Sequence, residues 1–242
     1  MSKSIRDILA RRNDLSTFIV HLTRANNGNS AKENLASKRA RTGKIEARNA
    51  YGHGIYKNRR HQAFPLDAYN TVCFTETPLE YIHLFTENIA DRRLFRFEGY
   101  GIAITKAMAR KDGINPIMYV DMTSGHDGGI ARALDKLVTD ALTAGDPAEE
   151  PIFEIVPFIE QMGTWSRSKK EFWWEREWRK IGDYQLPNTY IIICPYADHA
   201  DIKLCIPRVR RERIRFIDAT WGLEEIIARL AGFSEEDIHL FR

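Results

Sequence analysis

The segment Trp173-Trp174-Glu175-Arg176-Glu177-Trp178-Arg179 constrains this 242-residue chain more than any other. It places two carboxylates close together among tryptophans and arginines. If the segment is a strand, its side chains alternate, so Glu175 and Glu177 share one face and point into one site. Two close carboxylates beside aromatic rings raise at least one pKa, and a neighbouring arginine keeps the other carboxylate ionised. A helix fits equally well, because apolar residues recur at i, i+4 and i+7, with Glu175 and Arg179 as a surface ion pair.

Composition sets broad limits. A hydrophobic content of 43% is enough for a core, and we expect one domain over residues 1–242. The net charge of +3 neither demands nor excludes a polyanionic partner. Runs of charge, such as the arginines of 208–215 or the acids from Asp146 to Glu160, are typical of solvated faces. The three cysteines lack ligand-like spacing and are predicted to be reduced core residues.

No apolar stretch approaches the ~20 residues that cross a bilayer, and the N-terminal residues have no signal-peptide core. We therefore expect a cytoplasmic protein with no membrane partner.

Strands and helices alternate without an internal repeat. Runs rich in β-branched and aromatic residues predict strands at 17–23, 71–75, 100–105, 117–120, 190–194, 202–206 and 214–217. Helices are predicted near Ile5 and Ile8, from the capping box at Ser30 to Gly43, after the capping box Thr77-Pro78-Leu79-Glu80, and at 127–143, 151–161 and 222–232. This order has no regular βαβ period and predicts an α+β fold.

The stretch from Lys44 to Leu66 has little periodicity and is predicted to be the longest loop. Its forked donors Arg48, Arg59 and Arg60 suit phosphate, so we expect it to order over a binding cleft. Its aromatic residues Tyr51 and Tyr56 favour a functional loop over a disordered one. A mobile cationic surface loop is the alternative.

Familiar nucleotide, metal and hydrolase motifs are missing. The sequence has no GxGxxG after a strand, no GxxxxGK[ST], no HExxH, no paired CxxC and no GxSxG. A site must therefore be sought among separate residues.

Two resemblances follow from the order of features. Phe74-Thr75-Glu76-Thr77-Pro78, Tyr100-Gly101-Ile102, the run from Asn115 to Val120 and Glu177-Trp178-Arg179 resemble the AbiGi-like abortive-infection, phage-resistance family. His21-Leu22-Thr23, followed by Asn34-Leu35 and Gly43, resembles the ADP-ribosyltransferase superfamily, particularly its DNA-modifying toxins.

The second resemblance implies a single domain with a split, two-sheet ADP-ribosyltransferase-like core, peripheral helices and NAD bound as substrate between the sheets. It implies that His21, with Thr23 beside it, contacts the adenosine ribose or phosphate and that Thr75 lines the nicotinamide pocket. Glu177 would hold the nicotinamide ribose and stabilise its oxocarbenium character. Glu175 would deprotonate the acceptor, and Arg48 and Tyr100 are further candidates for NAD contacts.

The leading hypothesis is therefore an NAD-dependent ADP-ribosyltransferase, or a degenerate relative, of a bacterial phage-defence or toxin system, acting on a nucleic acid or protein acceptor. The alternative is a non-catalytic, antitoxin-like module that binds a toxin partner through Trp173, Trp174 and Trp178. A weaker alternative is a nuclease that holds Mg²⁺ with Glu76, Glu175 and Glu177.

Overall fold

The computed structural model describes residues 12, 14–49, 52–87, 97–123, 125, 128–165 and 168–233. The chain has a mixed α/β architecture and divides into two compact units. Unit 1 comprises Met1–Ile45, Glu76–Ala109 and Gln185–Arg242, and unit 2 comprises Glu46–Thr75 and Arg110–Tyr184. The predicted helix near Ile5 and Ile8, and Tyr51, lie outside the described residues.

The described residues form short strands and helices in irregular order. The strands are β1 (Phe18–Thr23), β2 (Lys44–Ile45), β3 (Thr71–Thr75), β4 (Tyr100–Thr105), β5 (Asn115–Pro116), β6 (Met118–Asp121), β7 (Ile159–Trp165), β8 (Ser168–Lys170), β9 (Glu177–Ile181), β10 (Tyr184–Gln185), β11 (Ile191–Ile193) and β12 (Arg215–Ile217). The α-helices are α1 (Ala31–Glu33), α2 (His53–His61), α3 (Lys106–Lys111), α4 (Gly129–Leu142), α5 (Ile152–Ile155), α6 (His199–Cys205), α7 (Arg208–Arg211) and α8 (Leu223–Ala231). Helix α1 continues as a π-helix over Asn34–Ala40. Each helix in the described part of the chain is too short or too polar to span a lipid bilayer.

Unit 1 is built on a sheet in which β4 pairs antiparallel with both β1 and β11, and β11 pairs parallel with β12. Its inward side chains are mainly β-branched, which suits a pleated and buried surface. Val20, Ile193 and Ile217 pack there with Ile82 and Ile226. The core of unit 1 therefore lies between this sheet and the helical segments that carry Ile82 and Ile226.

Unit 2 contains β9, which pairs antiparallel with β3 on one side and with β5 on the other. A second sheet is formed by β6 and β7 in parallel and by β8 antiparallel to β7. The unit's core collects Ile55 of α2, Val138 of α4 and Phe153 of α5. Helices α2 and α4 are thus held in unit 2 by apolar packing.

Most of the predicted strands and helices are confirmed. The strands at 71–75 and 100–105 have the predicted bounds, and those at 17–23, 117–120, 190–194 and 214–217 differ by a residue or so at their ends. The helices at 127–143 and 222–232 are confirmed as α4 and α8. The Ser30 capping box forms, since Ser30 N donates to Glu33 Oε2 at 2.7 Å and Glu33 N donates to Ser30 Oγ at 3.2 Å.

Four predictions are wrong. Residues 202–205 belong to helix α6 and Ile206 is its C-cap, and the predicted helix at 151–161 ends early and becomes β7 at Ile159. The capping box at Thr77 does not form, because Pro78 is the N-cap of the 3-10 helix Leu79–Phe85.

The fourth is the long loop predicted from Lys44 to Leu66, which contains β2 and α2. Lys57 Nζ of α2 lies 2.5 Å from Asp135 Oδ1 and 2.6 Å from Thr139 Oγ1 of α4. His53 Nε2 lies 2.7 Å from the same Asp135 oxygen. Contacts distant in sequence therefore order a segment that has a weak local pattern.

Candidate functional site

The segment around Glu177 is neither the continuous strand nor the helix considered from sequence. Trp173–Glu175 is a 3-10 turn, Arg176 is left-handed with φ 49° and ψ 58°, and β9 begins at Glu177. The left-handed residue interrupts strand alternation, so Glu175 and Glu177 do not share a strand face. The premise of two carboxylates paired by alternation is therefore wrong.

Contacts from other elements of unit 2 fix this turn. Thr75 Oγ1 donates to the carbonyl oxygen of Glu175 at 2.6 Å. Glu177 N donates to Tyr119 Oη at 3.0 Å, and Ile117 N donates to Glu177 O at 3.0 Å. The backbone groups of Glu175 and Glu177, on either side of Arg176, are therefore hydrogen-bonded where the turn leads into β9.

The three tryptophans of the segment have different environments. Trp173 and Trp174 are 57% and 38% exposed, whereas Trp178 is 7% exposed. Trp178 stands opposite Phe74 in the ladder between β3 and β9, and Phe74 packs edge-on against Tyr184 with ring centroids 5.8 Å apart. The prediction that all three tryptophans form one interface is therefore wrong for Trp178, which belongs to the core.

Glu177 and Arg179 lie on the face of β9 opposite Trp178 and form the centre of an ionic network. Arg179 Nε donates to Glu177 Oε1 at 2.8 Å, and Nη2 donates to Oε2 at 2.9 Å. Arg179 Nη2 also bonds Glu160 Oε2, Nη1 donates to Pro157 O at 2.8 Å, and Lys170 Nζ bonds the other oxygen of Glu160. Arg179 is only 2% exposed, so these acceptors take the place of the water that would solvate its guanidinium at the surface.

Burial alone would raise the pKa of Glu177, but the charge and hydrogen bonds of Arg179 outweigh burial and lower it. Glu177 is thus held ionised by a bidentate arginine. A carboxylate whose two oxygens are engaged in this way is well suited to hold the sheet together.

Cys73 stands opposite Arg179 in the β3–β9 ladder and near Glu177. The crowding of protein around the thiol and then the negative charge of Glu177 raise its pKa. Cys73 and Cys205 are exposed and Cys194 is buried, and all three are in the reduced, thiol form. The prediction of three core cysteines is confirmed only for Cys194.

The predicted NAD contacts His21, Thr23 and Tyr100 share one face of the unit 1 sheet, where Thr23 pairs with Tyr100. Thr23 is fully buried. Tyr100 Oη donates to Asp198 Oδ2 at 2.6 Å, and burial followed by this bond raises the pKa of the phenol. Asp198 is in turn held by Lys32 at 2.7 Å.

The remaining predicted residues lie in unit 2. Thr75 and Glu177 are paired in the β3–β9 ladder, whereas Arg48 exchanges backbone hydrogen bonds with Thr71 at 2.9 and 2.7 Å. The structure thus brings together Thr75, Glu175 and Glu177 in one unit and His21, Thr23 and Tyr100 in the other. A shared NAD cleft stays a prediction.

The magnesium hypothesis receives no geometric support. Glu76 belongs to unit 1, where it lies 2.6 Å from Lys106 Nζ. Within the described ranges, no group of three or more His, Cys, Asp or Glu side chains is placed to hold a metal ion.

Sequence reasoning missed Glu160, Lys170 and Tyr119 as neighbours of Glu177. Glu160 was assigned with the surface acids, yet it is 4% exposed and lies in β7. Alternation from the apolar Ile159 places Glu160 on the other face of a strand, so this pattern gave no signal that Glu160 is buried.

The fold and this network define a mixed α/β protein with a buried ionic centre and two exposed adjacent tryptophans. A family model described as abortive phage resistance protein AbiGi, antitoxin, matches residues 48–205. The match covers well over half of the sequence, so the chain belongs to the AbiGi family. It includes nearly all of unit 2, with Arg179 and both exposed tryptophans. No curated protein and no solved structure matches the chain.

Proposed function

We propose that this chain is a non-catalytic, antitoxin-type module of a phage-resistance system, and that it binds a toxin protein through the surface formed by Trp173 and Trp174. The exposure of these two adjacent tryptophans carries the proposal. Membership of a family described as antitoxin supports it.

Tryptophan is among the residues most enriched at the centres of protein interfaces, because burying its ring removes a large apolar area from water. Trp173 and Trp174 lie on a turn fixed by the Thr75 hydrogen bond and by the left-handed Arg176. A partner that covers them therefore orders little further backbone, which lowers the entropy cost of binding.

The environment of Glu177 favours a structural role. Both of its oxygens accept from Arg179, and the same Arg179 also bonds Glu160. A carboxylate that stabilised a developing ribose cation would have to share its charge with this arginine, which weakens the effect.

The test uses the toxin of the same phage-resistance system, co-expressed with wild-type chain or with a Trp173→Ala, Trp174→Ala double variant. We expect the double variant to lose rescue of growth and to bind purified toxin at least about 30-fold more weakly, as for two hot-spot residues. Tyr81→Ala is the matched control, because Tyr81 is also an exposed aromatic residue but lies in unit 1. Neutralisation by the double variant at the wild-type level would overturn the proposal.

A parallel assay addresses the ADP-ribosyltransferase alternative. Purified chain is incubated with NAD, with and without nucleic acid, and nicotinamide release is measured. Release by the wild type, reduced about 10²-fold by Glu177→Gln, would favour the enzyme and its predicted NAD contacts over the antitoxin. We expect no release above a no-protein blank.

A further inference from the structure

Unit 1 carries a second exposed surface, formed by Leu204 and Cys205 of α6 and by Arg208 and Val209 of α7. Val209 is 86% exposed and Leu204 is 69% exposed, which are the largest values among the exposed apolar residues of the described ranges. Large aliphatic side chains this exposed and this close in sequence indicate an interaction site when other features agree.

The two aliphatic side chains stand on a fixed backbone. Arg211 turns inward, where Nη2 donates to Leu204 O and Nε donates to Ile206 O, both at 2.8 Å. Arg210 also turns inward, and its Nη1 is so close to Gly43 that a Cβ there would lie 1.9 Å away. Arg208 and Val209 are therefore the residues of α7 that remain exposed. The surface is formed before any partner arrives, which reduces the entropy cost of binding.

A groove of about 540 Å³ adjoins this surface, with Ala36, Ser37 and Arg41 on one wall and Leu204 and Cys205 on the other. Lys32 braces the two walls, since its Nζ lies 2.7 Å from Asp198 and 3.0 Å from Asp201. The groove lining combines the apolar Ala36 and Leu204 with the polar Asn29, Glu33, Ser37 and Arg41.

The rim of the groove is basic. Arg41 lines the groove, and Lys203, Arg208 and Arg213 are near the exposed Leu204 and Val209 in sequence; we call these four cations the basic rim. All four are exposed, and none of them forms an ion pair with a described residue. Of the neighbouring acids, Glu33 lines the groove and keeps its charge in the Ser30 capping box, and Asp201 pairs with Lys32. The excess of positive charge comes from residues 203–213, which hold five cations and the single acid Glu212. The charge of the rim therefore calls for an acidic partner.

We infer that this surface binds an acidic amphipathic helix of a partner protein, whose apolar side chains lie against Leu204 and Val209 while its carboxylates face the basic rim. A nucleic acid fits less well, because aliphatic side chains offer no stacking surface to bases. The inference goes beyond the proposed function and does not depend on Trp173 or Trp174, which belong to unit 2.

The test titrates the full chain into a fluorescein-labelled peptide with leucines at i, i+3, i+4 and i+7 and glutamates elsewhere. Anisotropy is compared with that of a scrambled peptide and of a peptide with lysine in place of glutamate. We expect the acidic amphipathic peptide to bind about tenfold or more tightly than either. Val209→Asp and Arg208→Glu should each weaken it about tenfold. Leu137→Asp and Arg60→Glu, exposed residues of unit 2, should not.

A second measurement needs no variant. Because Cys205 is exposed and lines the groove, a bound peptide should slow its alkylation severalfold. Equal binding of the scrambled peptide, unchanged labelling of Cys205, or tighter binding of anionic vesicles or duplex DNA than of the acidic peptide would each overturn the inference.

Discussion

Arg179 binds Glu177 through two nitrogens, with Nε 2.8 Å from Oε1 and Nη2 2.9 Å from Oε2. The pair lies two residues apart on β9, on the face opposite the buried Trp178. An arginine this deep in the protein is tolerated only while acceptors surround it, so the loss of one acceptor leaves charge uncompensated.

Glu177→Gln should therefore destabilise the protein, by about 2 to 4 kcal/mol, because Glu160 and Pro157 O still bind Arg179. Urea unfolding followed by tryptophan fluorescence measures the change. Glu171→Gln is the control, since Glu171 forms an exposed pair with Lys169 and should cost less than about 1 kcal/mol. Equal losses for the two variants would contradict a structural role for Glu177.

The same pair predicts a pH dependence. In the folded protein the pKa of Glu177 is lowered from its ordinary value of 4.5, so the contribution of Glu177 to the free energy of unfolding is fully present above pH 4.5. It is lost as the pH falls through the lower, folded-state pKa. The stability difference between wild type and Glu177→Gln should thus shrink on acidification below about pH 4.5. A difference that stays constant from neutral pH down to pH 3 would show that the charge of Glu177 is not its source.

The thiols offer a third prediction. The crowded surroundings of Cys73 and the Glu177 carboxylate raise the pKa of its thiol, so little thiolate forms near pH 8 and alkylation should be slow. Cys205, which is also exposed, should react first. Glu177→Gln should speed the labelling of Cys73 severalfold, as followed by peptide mass spectrometry. The buried Cys194 reports unfolding, and its labelling in step with Cys73 would refute the electrostatic explanation.

Sequence patterns correctly predicted the strands that have an almost continuous run of apolar residues. Residues 100–105 were recognised because nearly all of them are apolar and buried, as in a central strand. Residues 202–206 misled, because Ile202, Leu204 and Ile206 alternate like a strand. In the structure Ile202 within helix α6 and Ile206 at its C-cap are buried, and Leu204 is exposed. The error therefore concerns Leu204, which belongs to the exposed surface formed by Leu204, Cys205, Arg208 and Val209.

The site was predicted less well than the fold. The sequence pointed to Glu177 and Arg179, and the structure places both in one network. It could not reveal that Arg176 adopts a left-handed conformation, which local propensity disfavours for arginine, or that Glu160 arrives from β7. Both depend on contacts between segments that are distant in sequence.

A further prediction concerns Gly43 and combines a sequence signal with a contact seen in the structure. The sequence marks it as a helix stop, and in the structure it has φ +71° and lies against Arg210 Nη1. Gly43→Ala should cost about 1 to 3 kcal/mol, because it strains the backbone and displaces the Arg210 guanidinium. Gly113→Ala is the matched control: it has φ +73° but open space around it, so only the backbone cost remains. Equal destabilisation of the two would mean that Arg210 moves aside freely. Thermal unfolding measures both.

The last prediction concerns α2, the helix within the segment that the sequence predicted as a loop. Lys57 bonds Asp135 and Thr139 of α4. The hydrogen bond from Lys57 is the main reason why the pKa of Asp135 is lowered. Lys57→Met keeps the apolar stem and removes the charge, so α2 should open locally more often, with amide exchange at 53–61 about fivefold faster. Lys136→Met removes an exposed pair with Asp140 within α4 and should leave α2 unchanged. Unchanged exchange in Lys57→Met would mean that Ile55 and the apolar core alone hold the helix, since Ile55 is 2% exposed.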